Sequence, residues 1–335
     1  MKDTPDVLLE VRDLRTSFRI AGNYYAAVDG VSIDIYKNEV FALVGESGSG
    51  KSALALSITK LHNPNYTRIE GEIFFDGKEL LGMNENQINK VRGRNIGMIF
   101  QDPLSALNPL MRIGAQIEES LFYHADLDAL GRRNRAIELL EGVGMVNPAL
   151  TYRQLPHQLS GGMRQRAMIA IALACKPDLV IADEPTTALD VTIQAQILDL
   201  LRDLQKEMQS SVLLITHDLG VVAEMADRVA VMYAGQIVEL APVNDLFKNP
   251  QHPYTRSLLA SIPNINEEHN KLHVIQGIVP PLQHLPREGC RFSHRIPWVP
   301  GDVHEETPTY HKVGPNHYVL CTCYKNFTFD GEGTI

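Results

Sequence analysis

Residues 45–52 read Gly-Glu-Ser-Gly-Ser-Gly-Lys-Ser, and this run constrains the fold more than any other part of the chain. It fits the spacing G-x-x-x-x-G-K-[ST], with Gly45, Gly50, Lys51 and Ser52 at the fixed positions. The preceding Val40-Phe41-Ala42-Leu43-Val44 is continuously apolar, as expected of a strand covered on both faces. The following Ser52 to Ile58 reads as the first turns of a helix. A strand buried on both faces needs helices on both sides of its sheet, so the chain is predicted to be α/β with a parallel core. The run itself suits an anion. Glycines let backbone N–H groups curl inward, and the helix N-terminus adds its dipole. Gly45, Glu46, Ser47, Gly48, Ser49, Gly50, Lys51 and Ser52 are therefore candidate ATP-binding residues. In this reading Lys51 reaches the β- and γ-phosphates and the Ser52 hydroxyl sits on Mg²⁺. Read alone, the run is also compatible with a Gly/Ser-rich turn that carries a chance lysine.

Three further apolar runs end in polar groups. Leu179-Val180-Ile181-Ala182 delivers Asp183 and Glu184. Ligands bind at the carboxyl ends of parallel strands, so Asp183 is placed to organise Mg²⁺ through its water shell. Glu184, one step on, is a candidate general base for the attacking water. Without the phosphate loop, the same pair would read equally well as two solvated carboxylates. Val212-Leu213-Leu214-Ile215 leads to Thr216-His217-Asp218, and Ile96-Gly97-Met98-Ile99-Phe100 leads to Gln101. A lone histidine is usually structural. Here a neutral His217 imidazole can donate to a γ-phosphate and hold a water in line. Four strands that each deliver a polar group at one end define a site.

Leu159-Ser160-Gly161-Gly162-Met163 is a second kind of anion site. Ser160 is a good N-cap, and two glycines leave the N–H groups uncovered. The helix is predicted over Met163 to Ala174, stopped by Lys176-Pro177.

Together these residues resemble the ATP-binding subunits of ABC transporters, over roughly residues 7–250. The resemblance makes Gly45–Ser52 Walker A, Gln101 the Q-loop residue, Leu159–Met163 the signature, and Leu179–Asp183 Walker B. Glu184 becomes the catalytic glutamate, Ala188-Leu189-Asp190 the D-loop, and His217 the switch histidine. Phe18 falls where the family stacks an aromatic on adenine, with Tyr24 or Tyr25 as the competing assignment. Ser52, Gln101 and Asp183 would hold Mg²⁺, partly through water. The implied fold is a P-loop NTPase (RecA-like) core with an antiparallel β subdomain and a helical subdomain at about 102–157. The implied division is a nucleotide-binding domain over 1–250 and a small extension over 251–335. Residues 7 to about 40 read as the antiparallel strands and about 40–101 as the start of the parallel core. Ile113–Tyr123 and Arg132–Val143 carry apolar residues at helical spacing. The signature is implied to act in trans, so that ATP sits between Walker A of one subunit and the signature of the other.

A finer resemblance rests on Phe100–Pro109, Pro156–Met163 and His252-Pro253-Tyr254-Thr255, which look like the oligopeptide/dipeptide permease branch. That branch also includes nickel importers, so peptide or nickel cargo stays open. It implies a second homologous ATPase subunit in a heterodimer, two membrane permease subunits and an extracellular peptide-binding protein. Two other classes compete. Soluble ABC-type ATPases of DNA repair or translation usually carry two cassettes or large insertions. A regulatory subunit that binds without hydrolysing has no need of Glu184, His217 and the signature together.

Composition narrows the partners. Lys and Arg total 31 against 40 Asp and Glu, a net charge of −9, with no overall basic signal for nucleic acid. No stretch of 18 apolar residues occurs, so no span of a membrane is predicted. Met1-Lys2-Asp3-Thr4-Pro5-Asp6 does not read as a secretory signal. The expectation is a peripheral protein on the cytoplasmic face of the membrane, attached through its partners.

From about residue 250 prolines become frequent. In related peptide-permease ATPases this region often holds an iron–sulfur cluster on cysteines spaced C-x₅-C-x₆-C, with a fourth downstream. Here Cys290 keeps the first position, Ile296 and Val303 stand at the next two, and Cys321 fits the fourth, with Cys323 extra. Isoleucine and valine cannot ligate, so no cluster is predicted. A metal on Cys290, Cys321, Cys323 and one of His294, His304, His311 or His317 remains open. The spacing Cys321-x-Cys323 favours instead a pair of small buried apolar thiols, and that is the expectation. The extension is expected to act in docking or in stabilising a dimer.

Overall fold

The computed structural model describes residues 6–187, 189–261, 275 and 277–329. Among the described residues, twelve strands form two sheets. The first is antiparallel, in the order β2 (Asn23–Tyr36), β1 (Val7–Ile20), β4 (Thr67–Phe75), β5 (Lys78–Glu79). β1 and β2 pair from Val7↔Tyr36 to Ile20↔Asn23. The turn between them is Ala21-Gly22, at φ 49° and 90°, the left-handed pair that a two-residue hairpin requires. Residues 67–79 were expected to begin the parallel core and instead return to this sheet. Asp76-Gly77, at φ 46° and 72°, turns β4 into β5 in the same way.

The second sheet has eight strands, in the order β11 (Tyr310–Gly314), β12 (His317–Leu320), β10 (Gln236–Pro242), β9 (Arg228–Tyr233), β3 (Val40–Val44), β8 (Ser211–Thr216), β7 (Leu179–Asp183), β6 (Ile96–Ile99). From β9 to β6 every pairing is parallel. β3, β7 and β8 are buried at every residue, which is why they read as unbroken apolar runs. One face of this sheet packs with Leu9, Leu14 and Ile35 of the antiparallel sheet around the helix Lys51–Ile58. The other face carries the helical insert.

That insert contains the helices Pro103–Ala106, Ile113–His124, Ala129–Gly142 and Pro148–Thr151. Asp102, Asp128 and Asn147 cap three of them through side-chain oxygens. The signature helix runs Gly161–Ala172, two residues earlier than predicted at each end. Ser160 Oγ accepts the Met163 N–H at 3.3 Å, so the cap draws both glycines into the first turn. Leu173 closes the helix before Ala174.

The C-terminal extension continues the core sheet. β12 pairs antiparallel with β10 through Glu239↔Val319 and Leu240↔Tyr318. Its Phe292, Ile296, Val299 and Leu320 share one buried cluster with Ala42, Val44, Val231 and Tyr233. Pro263 and the rest of 262–274 lie outside the described residues, as do residues 1–5.

Candidate active site

The loop after β3 is shaped by two close approaches. Gly45 sits at φ 156°, and a Cβ there would lie 2.1 Å from the Met232 carbonyl oxygen. Gly50 sits at φ 107°, and its Cβ would lie 2.4 Å from the Ala27 carbonyl oxygen. Neither position accepts a side chain, so the loop is pinned against β9 and β2. Gly50 then caps the helix Lys51–Ile58. Lys51 Nζ folds back to donate to Gly45 O at 2.7 Å and Glu46 O at 3.1 Å. Burial pulls its pKa down, and the charges of Glu184, Asp183 and Glu46 oppose that pull. A cleft of about 320 Å³ opens here, lined by Ser47, Gly48, Lys51, Ser52, Gln101 and Glu184 among others.

Glu184 is where the strand ends converge. Its backbone is left-handed, at φ 46°, an uncommon state for a non-glycine and one that clusters at functional positions. Its Oε2 accepts from Gln101 Nε2 at 2.9 Å and from Thr187 Oγ1 at 2.9 Å. His217 Nδ1 stands 3.6 Å from the same oxygen, and Lys51 Nζ stands 4.0 Å from Oε1. His217 is itself 64% exposed, and Glu184 also borders a wider cleft of about 560 Å³ with Leu189, His217 and Asp218.

Ser52 Oγ donates to Asp183 Oδ1 at 3.0 Å. Burial raises the Asp183 pKa, the Ser52 hydrogen bond opposes this, the Glu184 charge adds to it and Lys51 opposes it. A hydroxyl, a carboxylate and the nearby Gln101 amide form a set of hard oxygen donors, which fits Mg²⁺.

The remaining predicted residues lie elsewhere. Phe18 packs edge-on against His62, with ring centroids 5.1 Å apart, and pairs with Tyr25 across β1 and β2. Tyr24 carries the Arg68 guanidinium over its ring at 4.1 Å. None of these aromatics lines the phosphate cleft. Leu159 is buried, and Ser160 and Gly161 are exposed at their helix start, away from this chain's own cleft. A Cβ on Gly162 would lie 3.0 Å from Ile193, so this helix start lies close against the next one. Asp190 caps that next helix, Val191–Met208, by accepting from Ile193 N at 3.0 Å. Ala188 of the same loop lies outside the described residues.

Sequence reasoning missed several contributors. Thr187 was passed over because nothing local marks it. The extension supplies three more. Tyr254 Oη accepts the Glu46 backbone N–H at 2.7 Å, Arg295 Nη1 donates to Glu46 Oε2 at 2.8 Å, and Leu282 lines the phosphate cleft.

A phosphate cradle, a strand-end carboxylate and a separate uncovered helix start, set on one parallel sheet, define a nucleotide-hydrolysing cassette of the ABC type. Residues 28–187 match the ABC transporter family. Residues 238–298 match the family described as oligopeptide/dipeptide transporter, C-terminal region. The chain is 54% identical over 321 residues to the oligopeptide transport ATP-binding protein AppD of Bacillus subtilis, covering 95% of this chain and 97% of that one. It is 51% identical over 326 residues to OppD of Lactococcus lactis subsp. cremoris, covering 97% and 96%. Among solved structures it is similar to a dimeric ATP-binding cassette in a post-hydrolysis state with ADP and Pi. The TM-score is 0.64 and the identity 28%, covering 70% of this chain and 99% of that chain. The chain belongs to the ABC transporter ATP-binding proteins, in the oligopeptide/dipeptide transport branch. No helix among the described residues is long and apolar enough to cross a membrane.

Proposed function

We propose that this chain is the ATP-hydrolysing subunit of an importer that takes up oligopeptides or dipeptides. The observation that carries the reading is the Glu184 carboxylate, which meets Gln101, Thr187, Lys51 and His217 at the mouth of the phosphate cradle. Water attacks the γ-phosphorus of ATP, its proton passes to Glu184, and the bond to the ADP oxygen breaks. Lys51 leaves the Gly45 and Glu46 carbonyls for the β- and γ-phosphates and offsets their charge. His217 donates to the γ-phosphate and keeps the water in line. Ser52, Asp183 and Gln101 would hold Mg²⁺, partly through water, and the ion would supply charge neutralisation on the phosphates. Adenine lies beside the antiparallel sheet, with Phe18 the candidate to stack on it.

Leu159, Ser160, Gly161, Gly162 and Met163 serve the nucleotide on a second, homologous subunit, and Asp190 lies at that interface. The partners are that subunit in a heterodimer, two membrane permeases reached through the helical insert, and an extracellular peptide-binding protein. The chain works on the cytoplasmic face of the membrane. Residues 1–250 form the cassette, and 251–335 form the branch-specific extension. The test is Glu184→Gln in the assembled transporter, driven by peptide-loaded binding protein. Turnover is expected to fall at least ~100-fold while ATP binding and ATP-dependent association persist. Turnover at the parental rate would remove Glu184 from the role of base. Stimulation by nickel but not by peptide would overturn the cargo.

A further inference from the structure

Three stretches of the extension bring four soft ligands to one point. Cys290 follows the Gly289 turn, His304 follows the turn Gly301–Val303, and Cys321 and Cys323 follow β12. The three Sγ atoms and one His304 ring nitrogen all lie within 4.8 Å of one another. The three thiols are buried and free of disulfides. Both His304 ring nitrogens are shielded from solvent and, among the described residues, have no hydrogen-bond partner. A buried imidazole in that state lacks the partner that folding normally provides. Of the other candidate histidines, His311 Nε2 meets Glu305 at 2.5 Å, His317 Nε2 meets Glu239 at 2.7 Å, and His294 is not part of the group.

The surroundings suit thiolate ligation. The Glu305 N–H points at Cys321 Sγ from 3.4 Å, an outer contact of the kind that orients metal-bound sulfur. Cys321 takes a left-handed backbone, at φ 69°, a strained state for a cysteine between β12 and the turn that carries Cys323.

An iron–sulfur cluster does not fit this set. Ile296 is buried in the apolar cluster and Val303 packs against it, at two of the four positions such a cluster would use. A cluster also places several irons and sulfides between its thiolates and must spread them. Around a single ion, bonds of about 2.0–2.3 Å put tetrahedral donors roughly 3.5–4 Å apart, inside the 4.8 Å within which the four donor atoms lie. We propose that Cys290, His304, Cys321 and Cys323 bind one tetrahedral divalent cation of the zinc type, with no open position for water. The ion staples the loop whose Arg291 donates to Ala234 O at 2.5 Å and whose Arg295 holds Glu46.

The test uses the full chain. Purified protein is assayed for zinc, iron and acid-labile sulfide, then reloaded with Co²⁺. About one zinc per chain is expected, with no stoichiometric iron or sulfide. Co²⁺ is expected to give sulfur-to-metal charge transfer and the strong visible bands of tetrahedral cobalt. His304→Ala and Cys323→Ser should each weaken zinc retention against a chelator at least tenfold. Iron with labile sulfide, a weak octahedral cobalt spectrum, or a chain that takes up no stoichiometric metal would overturn the proposal. The cobalt spectrum of the parent chain decides the matter even where a variant fails to fold.

Discussion

Tyr254→Phe asks whether the C-terminal extension sets the phosphate cradle. The Tyr254 ring is fully buried and packs on Tyr233 and Phe292, with centroids 4.7 and 5.4 Å away. Phenylalanine keeps those contacts and opens no cavity. What it removes is the oxygen that accepts the Glu46 N–H at 2.7 Å. A buried donor left without its partner costs about 1–3 kcal/mol. A central 2 kcal/mol lowers the melting temperature by about 3 °C in a chain of this size. Glu46 lies in the cradle, so a loosened loop must be re-ordered when phosphate binds. Each 1.4 kcal/mol of that cost weakens ATP about tenfold. The assay is thermal melting without and with Mg-ATP, beside titration with a fluorescent ATP analogue. Tyr310→Phe is the control. Its hydroxyl donates to Ile237 O at 2.7 Å, also between extension and core but away from the cradle. Both variants should melt earlier, and only Tyr254→Phe should bind ATP more weakly. Equal melting losses with unchanged affinity in both would show that the extension stabilises the cassette without shaping its phosphate site.

Two further outcomes are expected. Ser160→Arg loses the N-cap oxygen and places a bulky cation at the uncovered helix start, so turnover at the cradle of the partner subunit should fall at least about tenfold. Nucleotide occupancy of this chain's own cradle should be unchanged, and unaltered occupancy and turnover at the partner's cradle would refute action in trans. His252 is buried, and burial pulls its pKa down from 6.5 to about 4. Its Nδ1 accepts the Tyr254 N–H at 3.1 Å, so the fold needs the neutral ring. The unfolded chain takes up the proton first as pH falls. The associated stability is therefore present above pH 6.5 and is lost towards pH 4, about 2 kcal/mol of it by pH 5. His252→Asn, which keeps a capping oxygen, should flatten denaturation midpoints measured between pH 7 and 5; an unchanged slope would exclude His252 as the cause.

The parts legible in the sequence are those whose residues are neighbours along the chain. Val40–Val44, the glycine loop and Lys51–Ile58 are contiguous, and so are β7 with Asp183 and Glu184. Burial on both faces wrote β3, β7 and β8 as plain apolar runs. The β4–β5 hairpin also left its mark, in Asp76-Gly77, but the preceding Ile69-Glu70-Gly71-Glu72-Ile73, although it alternates, does not name the strand it pairs with. Thr187 could not be read. It reaches the Glu184 carboxylate only because the left-handed turn at Glu184 folds the chain back on itself. The Phe18 contact is likewise non-local: its partner His62 lies at 2.9 Å from Ala53 O of the helix Lys51–Ile58 through Nε2.

The extension was the least legible part, because its contacts are the most distant in sequence. Tyr254 and Arg295 meet Glu46 across 208 and 249 residues, and no spacing rule spans that distance. The cysteines show the same limit in miniature. A spacing argument tests positions 296 and 303 and finds isoleucine and valine. The fold offers the next residue, His304, and doubles the thiol at Cys323, so the four ligands meet without keeping the register. The change in composition near residue 250 likewise marks no gap in packing. β12 pairs with β10, and Cys290 shares a buried cluster with Val44 at the mouth of the cradle. A chain cut at that point would lose both supports of Glu46 and uncover Tyr233. The last part of the sequence is therefore placed to hold Glu46 and the glycine loop, which in the proposed reading receives the phosphates before water attacks.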